Sequence, residues 1–411
     1  MNSLIKNKKF IRGKDWVWYA PNTSDAFGVN EKRAVAKVLD KGWLTLGETA
    51  KNFEDKVANI FGKKYGLFVN SGSSANLLAL EAMHFPKGTE VITPACTFNT
   101  TVAPIVQAGL TPVFVDVNLG TYQIDVAEMK KALSKKTVAV MAPHLIGNFI
   151  DLSAVRAFCK KNKLVFIEDS CDTIGGKFNG RPSGAFSDVT TTSFYASHLI
   201  TTGGAGGMVM TNDKKLRERA RLFRDWGRGI SKHDESIRSR LSTFKISGKP
   251  YDSAFVFVER GYNFKPTEMQ AAFGLEQLNR LSGFTSLRRE NFKRLHSFFK
   301  DFEKYFILPK EMPKTYTNWL AFPLTIREGA PFSRNTLVTY LEDHKIQTRP
   351  LFSGDITEQP AYAKIPYRKI GTLKNAKMIM NNSFLVGLHH GLTKEMVDYM
   401  AEVFSGFLGR Y

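Results

Sequence analysis

His198 is the one imidazole in a stretch, Thr190–Thr211, that looks built for chemistry. The stretch runs from a β-rich segment (Thr190–Tyr195) through Gly203, Gly204, Gly206 and Gly207 into an apolar strand (Met208–Met210). An imidazole there is suited to moving a proton near neutral pH, and a glycine-rich turn lets backbone and side chains approach a ligand. Three other short clusters follow apolar runs. Asn70-Ser71-Gly72-Ser73-Ser74-Ala75-Asn76 is small and polar and opens a helix; its N–H groups suit a phosphate, and a plain serine N-cap accounts for it equally well. Pro94-Ala95-Cys96-Thr97-Phe98 offers Phe98 either to the core or as a platform for a flat ring. Glu168-Asp169-Ser170-Cys171-Asp172 puts carboxylates at the end of a buried strand. They read either as a solvated turn or as a buried acid paired with a cationic ring nitrogen.

The elements that must position these clusters alternate. Strand-like runs at 65–69, 90–93, 112–117, 137–142 and 164–168 are separated by helical patterns at 74–83, 101–108, 126–133 and 152–161. Short buried strands alternating with helices predict a mostly parallel sheet covered on both faces. Ligands then sit beyond the carboxyl ends of the strands, where all four clusters lie. Before this region come an irregular N-terminal arm (residues 1–28) and amphipathic helices over 29–39 and 49–61. After it come a basic helix at 215–224, a polar loop over 230–258, the segment Gly261–Pro266 and a strong helix over 267–281. The expected domains are 1–285 and 286–411. The second is a smaller α+β unit with a strand at 319–326, an extended run at 347–352 and helices at 333–343, 373–386 and 394–408.

With 411 residues, 43% of them hydrophobic, the chain can bury a sizeable core. No run of about 18 apolar residues suggests a membrane span, and no apolar signal region follows the basic N-terminus. The three cysteines (Cys96, Cys159, Cys171) lack metal-ligand spacing. No metal site is expected, and the chain is read as cytoplasmic. The net charge of +20 is spread along the chain without zinc-finger spacing or an arginine-rich arm. It suggests anionic small molecules as partners rather than nucleic acid.

The order and spacing of these clusters resemble the DegT/StrS family of sugar aminotransferases and dehydratases. So do Gly42-Trp43-Leu44-Thr45, Gly261-Tyr262-Asn263, Thr348–Phe352 and Val386–Leu392. The resemblance spans nearly the whole chain. It implies the fold of the type I pyridoxal-phosphate-dependent transferases, aspartate-aminotransferase-like: a large α/β/α domain and a small C-terminal α+β domain. It also implies roles. Gly72, Ser73 and Ser193 would hold the cofactor phosphate. Asn263 would reach the phosphate of a neighbouring subunit, making the active unit a homodimer with shared sites. Phe98 would stack on the pyridine ring, Asp169 would keep its nitrogen protonated, and Asp172 would lie near its hydroxyl. Beside these implied roles, Arg349 suits bidentate contact with a phosphate or carboxylate of the substrate, and His389 and His390, at a turn of the small domain, read either as packing residues or as substrate contacts.

The departure is at His198. Aminotransferases of this family carry a Schiff-base lysine there, within a pattern like SF-x-x-x-K; this chain reads Ser193-Phe194-Tyr195-Ala196-Ser197-His198. That histidine is similar to the branch of 3-dehydratases acting on nucleotide-linked 4-keto-6-deoxy sugars. The resemblance implies a non-covalent pyridoxamine or pyridoxal phosphate, His198 as general base, a nucleotide-sugar substrate and L-glutamate as amino donor. One variant of that branch carries an iron–sulfur cluster on cysteines after the Gly-Arg motif. Here Gly229–Val258 holds no cysteine, and such a cluster needs thiolates, so the cluster-free type is expected. The competing readings are a nucleotide-sugar aminotransferase, a reductase-coupled dehydrase, and a non-catalytic cofactor-binding relative. The chain departs from the usual dehydratase turn at Leu199 and Gly204-Ala205.

Overall fold

The computed structural model describes residues 10–21, 26–229, 240 and 244–411. Two helices, α1 (Val29–Lys41) and α2 (Glu48–Ile60), lead into the β/α alternation expected from the apolar runs. The order is β1 (Tyr65–Val69), α3 (Gly72–Glu81), β2 (Glu90–Pro94), α4 (Asn99–Gln107), β3 (Thr111–Val115), α5 (Val126–Lys131), β4 (Thr137–Pro143), α6 (Leu152–Lys161) and β5 (Val165–Asp169). Short strands β6 (Lys177–Phe178) and β7 (Arg181–Pro182) precede β8 (Val189–Ser193), β9 (Gly207–Thr211) and α7 (Lys214–Arg224). Part of the expected 230–258 loop lies outside the described residues. Its described part holds a hairpin of β10 (Phe244–Ile246) and β11 (Lys249–Tyr251).

The long helix α8 (Glu268–Phe299) follows, then β12 (Phe306–Ile307), β13 (Thr315–Tyr316), β14 (Phe322–Ile326), α9 (Arg334–Asp343), β15 (Thr348–Pro350), β16 (Arg368–Lys369), α10 (Lys374–Asn382), β17 (Ser383–Val386) and α11 (Lys394–Leu408). The large sheet has the order β1-β9-β8-β5-β4-β2-β3-β16. All its pairings are parallel except those of β9, which runs antiparallel to both β1 and β8. The small unit is an antiparallel sheet, β12-β14-β17-β15.

Two expectations change. The boundary placed at 285 falls inside α8. That helix starts at a capping box, in which Thr267 Oγ1 accepts from Gln270 N while Gln270 Oε1 accepts from Thr267 N. It then continues past Gly283, where an added Cβ would meet nothing within 4 Å. One helix therefore belongs to both units. Its second half packs on the small sheet through stacked aromatics, Phe292 on Trp319 at 4.9 Å and Phe299 on Phe322 at 5.6 Å. The second change is at 373–386, read as one helix. Only Lys374–Asn382 is helical; Ser383–Val386 is a buried strand between β14 and β15.

The N-terminal arm is a strap on the small unit. Val17 bridges to Ile346, Tyr19 N donates to Gln347 Oε1 at 3.1 Å, and Trp18 O accepts from His389 Nε2 at 3.1 Å.

Candidate active site

The carboxyl ends of β1, β4, β5 and β8 meet at one edge of the large sheet. The wall they form is completed from the small unit by Leu320, Arg349, Pro350 and Phe352 and from the strap by Tyr19. They enclose a cavity of about 960 Å³. Residues 351–356 are tied to the loop after β2: Ser353 Oγ donates to Thr97 O at 2.6 Å, and Ile356 N to Ala95 O at 3.1 Å.

One end of the cavity is a helix N-terminus. Ser71 caps α3, its Oγ accepting from Ser74 N at 3.1 Å. The first-turn N–H groups of Gly72 and Ser73 have no acceptor within the helix. Gly72 must be glycine for space: a Cβ would fall 2.6 Å from Ser193 Cβ and 2.9 Å from Cys171 Sγ. Ser193 closes the cradle from the end of β8. Gly207 opens β9 opposite both Val69 and Ser193. Its backbone passes so close to Ser71 that an added Cβ would sit 2.3 Å from Ser71 C.

At the floor, Asp169 is buried and fully oriented. Its Oδ2 accepts from Asn76 Nδ2 at 2.9 Å and Thr101 Oγ1 at 2.8 Å, and its Oδ1 from Cys171 N at 3.1 Å. Asn76 is itself held by Thr191 Oγ1, which donates to Asn76 Oδ1 at 2.5 Å. Phe98, 54% exposed, leaves its ring on the cavity wall in an edge-to-face contact with Phe352 at 6.0 Å. Behind the floor, His144 Nε2 and Glu168 Oε1 lie 3.0 Å apart, both buried. Burial works to raise the Glu168 carboxyl, but His144 and serine hydroxyls hold it down to about 2. His144 borders the cavity, yet its ring is committed to that pair.

His198 sits on the turn between β8 and β9, largely buried, and borders the same cavity. Its Nε2 is 4.0 Å from Asp172 Oδ1, while its Nδ1 is buried with no partner among the described residues. Burial pushes the imidazole down to about 4, against the pull of the Cys171 and Ser193 backbone and the charge of Asp169. Burial pushes the Asp172 carboxyl up to about 7; the Ile146 N–H opposes this and Asp169 adds to it. No lysine is among the described residues that line the cavity.

Gly72, Ser73, Phe98, Asp169, Asp172, Ser193, His198 and Arg349 are thus brought together. Three expected site residues are not. His389 is buried as a pin for the strap: Nε2 faces Trp18 O and Nδ1 accepts from Gly391 N at 3.1 Å. His390 stacks on Phe284 at 3.7 Å, away from the cavity wall. Both are engaged in packing in this structure, and neither is among the residues that line the cavity. Asn263 stands exposed, bridged to Asp225, and does not line the cavity of its own chain. Tyr19 is the wall residue that the sequence did not reveal. It comes from the far N-terminus, and the pairing of the strap with the small unit, invisible in sequence, delivers it.

A helix N-terminus that a Cβ would fill, a buried oriented carboxylate, an exposed ring and an orphaned imidazole nitrogen fit a phosphorylated pyridine cofactor. The comparisons with known proteins agree. The "Lipopolysaccharide biosynthesis protein RfbH" of Salmonella typhimurium is 38% identical, over 99% of this chain and 95% of that protein. The "GDP-4-keto-6-deoxy-D-mannose 3-dehydratase" of Yersinia pseudotuberculosis is 33% identical, over 90% of this chain and 94% of its own. The solved structure of the E. coli GDP-4-keto-6-deoxy-D-mannose-3-dehydratase with bound hydrated PLP superposes with a TM-score of 0.85 at 31% identity, covering 94% of this chain and 98% of that one. The family model described as the DegT/DnrJ/EryC1/StrS aminotransferase family matches residues 26–405. This chain belongs to the DegT/DnrJ/EryC1/StrS aminotransferase family.

Proposed function

We propose that the protein is a pyridoxamine-phosphate-dependent 3-dehydratase that removes the C3 hydroxyl of a nucleotide-linked 4-keto-6-deoxyhexose. One observation carries this reading: His198 borders a cavity suited to a pyridoxal-type cofactor, where the sequence resemblance expects the covalent lysine, and no lysine stands among the described wall residues. An imidazole cannot form an internal Schiff base, but it can carry a proton. When bound, the cofactor supplies an amine for the C4 ketone and a ring that takes up electrons.

Backbone and side chains of the protein do the rest. Gly72, Ser73 and Ser193 anchor the phosphate, Phe98 covers the ring, and Asp169 keeps the ring nitrogen protonated. His198 removes the proton beside the amine and then returns one to the departing hydroxyl, which leaves as water. Proton transfer of this kind contributes on the order of 10²–10⁴ in rate. The unsaturated amino sugar is released and hydrolyses to the 3-deoxy-4-keto sugar with loss of ammonia, L-glutamate restores the amine as it is oxidised to 2-oxoglutarate, and Asn263 of a second copy completes each phosphate site in a homodimer. The absence of cysteine from Gly229–Val258 favours the cluster-free reaction.

Mass spectrometry of the product tests this reading, with GDP- and CDP-4-keto-6-deoxyhexoses, glutamate and pyridoxamine phosphate supplied together. The expected sugar nucleotide is lighter by one oxygen, with 2-oxoglutarate formed. Retention of the C3 oxygen with an amino group gained at C4 would establish the aminotransferase instead. His198→Lys is expected to gain the absorbance of a covalent aldehyde adduct and to suppress dehydration; undiminished dehydration removes His198 as the base.

A further inference from the structure

Asp172 is held in a way that the cofactor cradle does not require. Its Oδ2 accepts the Ile146 N–H at 2.9 Å, which leaves Oδ1 on the His198 side, 4.0 Å from Nε2. The turn that supplies this N–H is strained. Ile146 sits at φ 59°, ψ 20°, a left-handed conformation that is costly for a β-branched residue. It is locked there by its neighbours: His144 N donates to Asp169 O at 2.9 Å, and Leu320 N to Ile146 O at 2.7 Å. Strain of this size persists where the surroundings over-determine it, commonly at a functional site. Its product here is a fixed carboxylate direction.

We infer that Asp172 is a positioning residue for His198, holding the imidazole through Nε2 and, once ionised, stabilising the proton that the ring takes up. The inference rests on the reading of His198 as the base. The 4.0 Å separation is in ion-pair range and about 1 Å longer than a hydrogen bond. In the step itself, the proton leaves carbon for the imidazole, the imidazolium is held against the Asp172 carboxylate, and the same proton then departs with the hydroxyl as water. No further proton source is consumed.

Other titratable groups among the described residues face the pair. Asp169 and Cys171 face it from the loop after β5, Arg288 from α8, Tyr19 from the strap, and the Tyr195 ring lies 6.1 Å from the imidazole on the same turn. Burial alone leaves His198 a weak base at neutral pH. A carboxylate that ionises beside it makes it stronger in the pH range where a general base is most useful.

The test uses the full-length cofactor-free protein, labelled with ¹⁵N-histidine and followed by long-range ¹H–¹⁵N spectra from pH 5 to 9. The His198 signals are assigned by their loss in His198→Asn. In the wild type, both ring nitrogens are expected to shift with a midpoint near pH 7 as Asp172 ionises. The inflection is expected to vanish in Asp172→Asn and to move in Asp172→Glu, with the signals of buried His389 unchanged as the control for folding. A flat His198 response in the wild type overturns the inference, as does the same midpoint in Asp172→Asn. If Asp172→Asn does not fold, an unmoved midpoint in Asp172→Glu overturns it. The kcat profile is expected to lose its limb near pH 7 in Asp172→Asn. Loss of the pairing signal with the C3 oxygen still removed sinks the inference alone; retained C3 oxygen sinks the dehydratase alone.

Discussion

Asp169→Asn separates a cofactor partner from a buried structural acid. In the native protein both carboxylate oxygens accept, from Asn76 and Thr101 on one side and from Cys171 N on the other. Asparagine offers one acceptor and one donor. The two donors on the Oδ2 side fix the carbonyl there, so the new NH₂ faces the Cys171 N–H and the ring nitrogen. Two separate costs result. Leaving the Cys171 N–H unpaired lowers apoprotein stability by about 1–3 kcal/mol. Losing a hydrogen bond to a charged ring nitrogen removes about 1.5–3 kcal/mol of binding, which is roughly a 10- to 100-fold weaker pyridoxamine phosphate complex at 1.4 kcal/mol per decade. Calorimetric titration of dialysed apoprotein measures the second cost, and thermal melting of the same sample measures the first. A lowered melting temperature with cofactor affinity within about twofold of wild type would refute the pairing and leave Asp169 only a structural role.

Gly72→Ala forces a Cβ to within 2.6 Å of Ser193 Cβ, so the start of α3 must shift; the wild type is expected to bind pyridoxamine phosphate far better than pyridoxamine, and the variant to lose most of that difference, at least roughly 10-fold. Glu268 caps α2 from outside the helix, Oε1 accepting from Gly47 N at 2.7 Å and Ala50 N at 2.8 Å and Oε2 from Thr49 N at 3.0 Å. Glu268→Gln turns one acceptor into a donor and is expected to cost about 1–3 kcal/mol in urea unfolding; an unmoved midpoint refutes the cap. Asp172→Asn is expected to stabilise the apoprotein above pH 7. The folded carboxyl titrates near 7, above its ordinary value, so the native state binds the extra proton between about pH 4 and 7, and wild-type stability falls as pH rises through that window. Melting temperatures at pH 4 and pH 8 check the sign, and an equal gap at both refutes it.

The parallel sheet and its four chemical loops were legible because each strand is a short apolar run ending in small polar residues. The positions of Asp169, Gly72 and His198 at one sheet edge follow from that alternation alone. The errors have local causes. Ser383-Phe384-Leu385-Val386 is a short apolar run, and such a run cannot be assigned to strand or helix by period; its place between β14 and β15 is decided by pairing partners remote in sequence. The helix expected over 267–281 runs on to Phe299, because one exposed glycine, Gly283, costs a helix only about 1 kcal/mol, less than the aromatic packing that carries α8 onward. The adjacent histidines at 389 and 390, open in sequence between packing and substrate contact, serve the strap and a phenylalanine face. Tyr19 and the trans cap at Glu268 depend on contacts across most of the chain, which no local pattern encodes.

The antiparallel course of β9 has a consequence for how such an enzyme can change its chemistry. Ser193 and Gly207, at the two ends of the turn that holds His198, are paired in register and stay with the sheet. The stretch between them is therefore an insert with fixed ends. Within it Phe194, Leu199 and Ile200 are buried in the core, whereas residues 195–198 and 203–205 are not buried and can be exchanged while Gly72, Ser193 and Asp169 keep their places. On the proposed roles, proton transfer and phosphate binding are carried by separate segments, and a short graft at 195–198 is the economical unit for redirecting the chemistry.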